Sequence, residues 1–213
     1  VLTGFGIKDS IQNIVSFQYD EITTYDYSVA FTEGMDSDDI ENFDQEISGV
    51  DGRVFVYTGT YDVTANGSTK SISLIGADSL TGFVDLHTRA GEPVAFPNDG
   101  EVVLTQKFAD TLDIKTGDTV TFSNTDSGTL SLKVSGICEN YVYSYAYVNL
   151  DSFETQWGEI PALKGAFVNA AEGQDIHNVG ANLANYDKTI SVMVSDDMKT
   201  RFASMLQSLD YVV

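Results

Sequence analysis

The sequence predicts an α+β fold. Three observations carry this expectation. Apolar residues alternate at a period of two over several short stretches, as in "TLSLKVSGI" (129–137), the pattern of half-buried strands. Other stretches repeat at helical spacing, with Ile176, Val179 and Leu183 sharing one face. The two kinds of segment mix without the strict βαβ alternation of a doubly wound parallel sheet.

Taken in order, Ile7, Ile11, Ile14 and Val15 lie at helical spacing near the start, and "YDYSVAF" (25–31) then alternates as a strand. The acidic run "DSDDIENFDQE" (36–46) fails as an EF-hand loop, because position five is Ile40 and position six is Glu41, where a ligand and glycine are required. It reads instead as a helix with Ile40, Phe43 and Ile47 on one face and either Asp36 or Ser37 as its cap. Two strands, "GRVFVYTGTYDV" and "STKSISLIG", meet at Asn66-Gly67, a dipeptide that tolerates positive φ at both turn positions and so signals a hairpin. Asn66-Gly67-Ser68 also spells a glycosylation acceptor, which the turn explains without sugar. The pattern loosens from Thr81 to Phe96, with Gly82, Gly91, Pro93 and Pro97 as punctuation, and a domain boundary is placed there.

Beyond it, Thr105 is positioned to cap a helix carrying Phe108 and Leu112, and Val120 and Phe122 alternate with threonines. Leu130, Leu132 and Val134 face one way in the next strand. "YVYSYAYVNL" (141–150) reads as a further strand with Tyr141, Tyr143, Tyr145 and Tyr147 on one face. Two roles are open for this row: sheet packing with wet hydroxyls, or a platform contacting a substrate or partner. On the packing reading, Tyr143→Ala should cost about 2–4 kcal/mol. The last third reads as strand, helix, strand ("LKGAFVNA", "DIHNVGANLANY", "TISVMVS") and a final helix with Met198, Phe202, Met205, Leu206 and Leu209 in one stripe, capped by Ser195.

At 213 residues, 42% of them hydrophobic, the chain can build one large or two small cores. Eleven basic against 32 acidic residues give a net charge of −21, which disfavours nucleic acid and anionic headgroups as partners. The single cysteine, Cys138, excludes an internal disulfide; a buried apolar role on a strand stands against a reactive thiol. The first residues carry no Met and no basic n-region, the last are the apolar "SLDYVV", and no run of about 18 apolar residues occurs. These ends read as those of a domain excised from a longer protein.

No constellation of catalytic residues is legible. His87 and His177 are far apart and outside any HExxH frame; "GFGIKD" lacks the third glycine of a dinucleotide fingerprint; nucleophile elbow, Walker lysine and CxxC pair are all missing. The expectation is a protein without catalytic residues, metal or cofactor.

The stretch "VVLTQKFADTLDIKTGDTVTF" followed by "LKVSGICENYVYSYAYVNLDSF" resembles the extracytoplasmic domain of MacB/FtsX-type ABC transporter permeases of Gram-positive type. Val103, Leu104, Ala109, Leu112, Gly117, Asp118, Val120, Val134, Gly136 and Ile137 occupy the family's pattern of strand, short helix, G-D-x-V turn and V-x-G-I strand end. The flanks "LTGFGIKDSI" and "MLQSLDYVV" resemble the exit of one transmembrane helix and the approach to the next. The resemblance implies a membrane-proximal β-α-β porter-like subdomain built from residues 1–80 and 161–213, with an inserted strand-rich subdomain at 81–160. It implies a place on the extracellular side of the cell membrane and a non-catalytic role relaying ATP-driven motion. The implied partners are a cytoplasmic ATPase subunit, a dimeric or second permease copy, and an unknown substrate or extracellular protein. Both terminal helices should then leave the same face of the domain, with Ile7/Ile11/Ile14 and Phe202/Leu206/Leu209 packed on the sheet. The alternatives are a free secreted module binding peptide or polysaccharide through the tyrosine strand and, more weakly, a metal-dependent hydrolase built on scattered carboxylates.

Overall fold

Asn66 and Gly67, with φ of 50° and 77°, turn the longest strand back on itself. β2 (Val50–Ala65) and β3 (Ser68–Ala77) therefore pair in register from Tyr57↔Gly76 to Ala65↔Ser68. In this computed structural model, which describes residues 13–209 and side chains through residue 205, that hairpin seeds a closed ring. β3 runs parallel to β7 (Tyr145–Asn149), and β7 is antiparallel to β4 (Glu101–Thr105). β4 is parallel to β6 (Gly128–Cys138), which pairs antiparallel with β5 (Thr119–Asn124). β5 returns to β2 at Asp62↔Ser123 and Val63↔Phe122, closing a six-stranded barrel. Inward residues of every strand fill it, among them Tyr61, Leu74, Leu104, Phe122, Leu130 and Leu132. α3 (Gln106–Leu112) and α4 (Asp151–Trp157) add Phe108, Leu112 and Phe153 to the same core.

The first half of β2, Val50 to Val56, belongs to a different layer. It pairs with β8 (Gly165–Ala170), which pairs with β1 (Tyr27–Phe31), which pairs with β9 (Thr189–Val194). One face of this four-stranded sheet is covered by α2 (Ser37–Glu46) and α5 (Ile176–Asn185) through Phe43, Val179 and Leu183. Phe43 meets Phe31 and Tyr186 edge-to-face. β2 thus runs unbroken from the sheet into the barrel wall, so the two layers share a backbone. α1 (Phe17–Ile22, of π type) precedes β1, and α6 (Ser195–Leu209) follows β9.

Local chemistry explains the helix starts. Asp36 caps α2 in a reciprocal box with Asp39: Asp39 N–H donates to Asp36 Oδ1 at 2.9 Å, and Asp36 N–H donates to Asp39 Oδ2 at 3.2 Å. Two expected caps are corrected. The Thr105 hydroxyl accepts from Tyr145 N–H at 3.1 Å instead of capping α3. The Ser195 hydroxyl donates to the Tyr25 carbonyl at 2.7 Å, so it ties α6 to the segment before β1.

The tyrosine strand is shorter than its alternation predicts. Only Tyr145–Asn149 is strand; residues 141–144 are irregular. The buried Gln18 amide is the reason, since its Oε1 accepts the N–H groups of Tyr141 (2.8 Å) and Val142 (3.2 Å) that a ladder would otherwise use. Tyr143 is accordingly 59% exposed, and the packing role expected of it falls to Tyr147, 2% exposed. α4, which alternation did not announce, ends at Gly158 with φ 81°. Cys138 is buried at the end of β6, and burial pushes its thiol up to about 12, which excludes a reactive thiolate at neutral pH. Ile7, Ile11, the segment "GFGIKD" and the chain ends lie outside the described residues, as do the side chains of Leu206 and Leu209.

Candidate functional site

Cross-strand rows lay out the site. On the open face of the four-stranded sheet, Phe167, Ser28 and Met193 are register partners across β8, β1 and β9. On the outer wall of the barrel, Thr60, Ser73 and Tyr145 form one row across β2, β3 and β7, and Thr58, Ile75 and Tyr147 form the next. Period-two alternation sends these residues outward while Tyr61, Leu74 and Ala146 point into the barrel core. The two surfaces face a common cavity of about 530 Å³.

Its remaining wall comes from three pieces. α1 supplies Gln18, Tyr19 and Ile22; the loop before β7 supplies Asn140, Val142 and Tyr143; the start of α6 supplies Ser195 and Met198. Tyr25 stacks flat on Phe167, centroids 4.2 Å apart with planes 4° from parallel. Tyr143, Tyr145 and Tyr147 follow one another at 6.0 Å spacings. Tyr141 is set apart, its ring against Phe17 of α1 at 6.0 Å. Of the four tyrosines singled out in the sequence, the structure therefore gathers three in the cavity.

The phenols influence one another. Burial, followed by the neighbouring Tyr19 and Tyr143 hydroxyls, pushes Tyr25 up to about 12. Tyr145 is pushed higher still by burial and by Tyr25, Tyr143 and Tyr19, and Tyr19 is raised by burial and Tyr143. All of them stay neutral at physiological pH. Among the described residues lining the cavity there is no Asp, Glu, Lys, Arg or His.

A buried amide pair ties the loop to the terminal helix. Gln18 Nε2 donates to Asn140 Oδ1 at 2.9 Å and to Thr23 Oγ1 at 3.2 Å, and Asn140 Nδ2 donates to the Tyr143 carbonyl at 2.6 Å. The Gln18–Asn140 bond joins residues 122 apart while the bonds to Thr23 and the Tyr143 carbonyl are local, so the network holds one loop geometry against α1. Sequence reading missed Gln18, Asn140, Tyr19 and Tyr25 as members of the site. No motif marks them; only the meeting of residues 18 and 140 in space reveals them.

α1 also meets α6. Asp20 Oδ1 and Lys199 Nζ are 2.5 Å apart, and the rings of Tyr19 and Phe202 are 6.4 Å apart. Both contacts join α1 to the first half of α6, so the two helices are neighbours. Phe202, expected on the sheet, has its ring against Tyr19 of α1.

His87 is buried with Nδ1 3.6 Å from Asp85 Oδ2, whereas His177 is exposed. No group of three or more His, Cys, Asp or Glu among the described residues is placed to hold a metal ion. No helix among them is long and apolar enough to cross a membrane.

Direct comparison with curated protein sequences gives no match. Among solved structures, the chain is similar to the periplasmic region of MacB from Actinobacillus actinomycetemcomitans, at 12% identity and a TM-score of 0.53, covering 88% of this chain and 96% of that one. It is also similar to the extracellular domain of the noncanonic ABC-type transporter YknZ from Gram-positive bacteria, at 16% identity and a TM-score of 0.51, covering 78% and 98%. At such identities the likeness is one of fold. Residues 1–186 match the sequence family of MacB-like periplasmic core domains, most of the 213-residue chain, and the chain belongs to that family.

Proposed function

We propose that this chain is the extracellular domain of an ABC transporter permease, non-catalytic itself, which relays ATP-driven motion and contacts a substrate or partner protein through Tyr143 and Tyr145. The observation that carries the reading is the contact of α1 and α6 through Asp20–Lys199 and Tyr19–Phe202. Neighbouring first and last helices suit a domain inserted between consecutive transmembrane segments. Through Gln18 and Asn140, a displacement of α1 pulls directly on the loop carrying Tyr143, so membrane motion reaches the tyrosine row without crossing the barrel core.

On this reading residues 1–80 and 161–213 form the membrane-proximal, porter-like subdomain and 81–160 the inserted strand-rich one, with β3 and the second half of β2 from the first part completing the barrel wall. The partners are a cytoplasmic ATPase subunit, acting through the whole permease, and a second permease copy in the membrane. The test is a cross-link between Asp20→Cys and Lys199→Cys, made with a short bis-methanethiosulfonate reagent that spans the reach of the Lys–Asp pair through two disulfides, in the full-length permease assembled with its ATPase. Cross-linking should lower ATP turnover, and reduction should restore it. Complete cross-linking with unchanged turnover would contradict the relay.

A further inference from the structure

We infer that the cavity between the barrel wall, the open sheet face and α1 is a binding site for an uncharged amphiphile: a molecule with an apolar body and hydroxyl or ether oxygens. The inference rests on the proposed contact role of the tyrosine row and names the chemistry that the row would contact.

The charge distribution comes first. In a chain of net charge −21 with 20% charged residues, this concavity has no Asp, Glu, Lys, Arg or His among its described lining residues. Asp20, Asp26 and Asp196 gather beside Lys199 in a separate, more polar crevice next to it. A charged ligand would lose its hydration in the cavity and gain no counter-charge, whereas an uncharged one meets no such penalty.

The lining has two complementary parts. Ile22, Phe167, Met193 and Met198 supply apolar surface, with methionine able to adapt to irregular shapes. Thr58, Thr60, Ser73 and the phenols of Tyr143 and Tyr145 supply hydroxyls that both donate and accept. Tyr19, Tyr25, Tyr143 and Tyr145 all line this one cavity, with the rings of Tyr143 and Tyr145 6.0 Å apart. A volume of about 530 Å³ falls within the range of small-molecule sites. Met193, 51% exposed on β9, and Tyr143, 59% exposed, mark the open side. Since Gln18 and Asn140 fix the Tyr143 loop to α1, the position of α1 sets the width of that opening.

The experiment uses the chain in solution with the neutral dye N-phenyl-1-naphthylamine as probe, displaced by monomeric detergents of one chain length and three headgroups. Saturable dye fluorescence is expected, with a nonionic maltoside displacing the dye at least tenfold more effectively than the sulfate or trimethylammonium analogue. Ser28→Phe and Thr58→Phe, which fill the cavity from the sheet and from the barrel wall, should each weaken dye binding at least tenfold with an unchanged circular dichroism spectrum. Ile190→Asp, at an exposed position on β9 outside the cavity lining, should not weaken it. Dye binding that is not saturable, or that survives both folded filling variants, overturns the inference, as does equal displacement by all three detergents. Failure here with the cross-link effect on ATP turnover intact would sink the ligand site alone and leave the relay standing.

Discussion

Tyr147 and Tyr143 are four residues apart on one predicted face, yet the structure assigns them opposite energetic roles. Tyr147 is 2% exposed and packs among Ile75, Val103, Cys138 and Phe167, in register with Ile75 on β3 and Val103 on β4. Truncating a buried aromatic removes its transfer free energy and leaves a cavity, about 3–5 kcal/mol together. For a domain of this size that is about 6–20 °C in melting temperature, at about 2–4 °C per kcal/mol. Tyr143 is 59% exposed, in an irregular segment, with its ring against Tyr145. Its truncation belongs with surface substitutions, within about 0.5 kcal/mol. Urea unfolding followed by the single tryptophan, Trp157, which packs on Phe153 in the barrel core, reads both. The reasoning is refuted if Tyr143→Ala costs as much as Tyr147→Ala, or if Tyr147→Ala leaves the urea midpoint unchanged.

Two further predictions follow from hydrogen bonds and charge. Gln18→Met leaves the N–H groups of Tyr141 and Val142 without acceptors and should cost about 1–3 kcal/mol; amide exchange at those two positions should accelerate well above the change at β6, and uniform acceleration would contradict the local link. Lys188 donates to Asp39 and Glu33 at 2.6 and 2.9 Å, and this bond, ahead of the Asp36 backbone N–H, holds the Asp39 carboxyl below the usual carboxylate range. A depressed carboxyl stabilises the fold above its unfolded value of about 3.9 and loses that contribution as pH falls through the folded value. The stability advantage of wild type over Lys188→Met should therefore be full at pH 6 and shrink below about pH 4, measured as urea midpoints; an advantage that grows on acidification would reverse the sign. Taking the difference between the two proteins cancels the relaxation of self-repulsion as the net charge of −21 is neutralised.

What was legible in the sequence was local. The Asn66-Gly67 hairpin and the β6 alternation of Leu130, Leu132 and Val134 are set by neighbours within a few residues, and so is the α2 face of Ile40, Phe43 and Ile47. Barrel closure was not legible, because it depends on the parallel pairings β3–β7 and β4–β6 between segments far apart in the chain, which leave no turn signal. The tyrosine alternation overran the true strand because a glutamine more than a hundred residues away captures two of its backbone N–H groups. The cavity itself was legible only along its tyrosine row. Its tyrosines announced themselves by spacing, but the facing row of Phe167, Ser28 and Met193 comes from three strands that meet only in the folded sheet.

The central claim is that α1 and α6 leave the domain side by side and move with the ATP cycle. Spin labels at Ser16→Cys and Ser204→Cys, both exposed, measure it in the full-length permease by pulsed dipolar spectroscopy; native Cys138 is 1% exposed and does not compete for label. Helices in contact lie about 8–10 Å apart, so one nucleotide state should give a narrow distribution with labels under about 25 Å once their arms are added. The other nucleotide state should shift that distribution. Labels separated by more than about four helix diameters, on the order of 40 Å, in both states, or distributions that superimpose with and without ATP, would contradict the account.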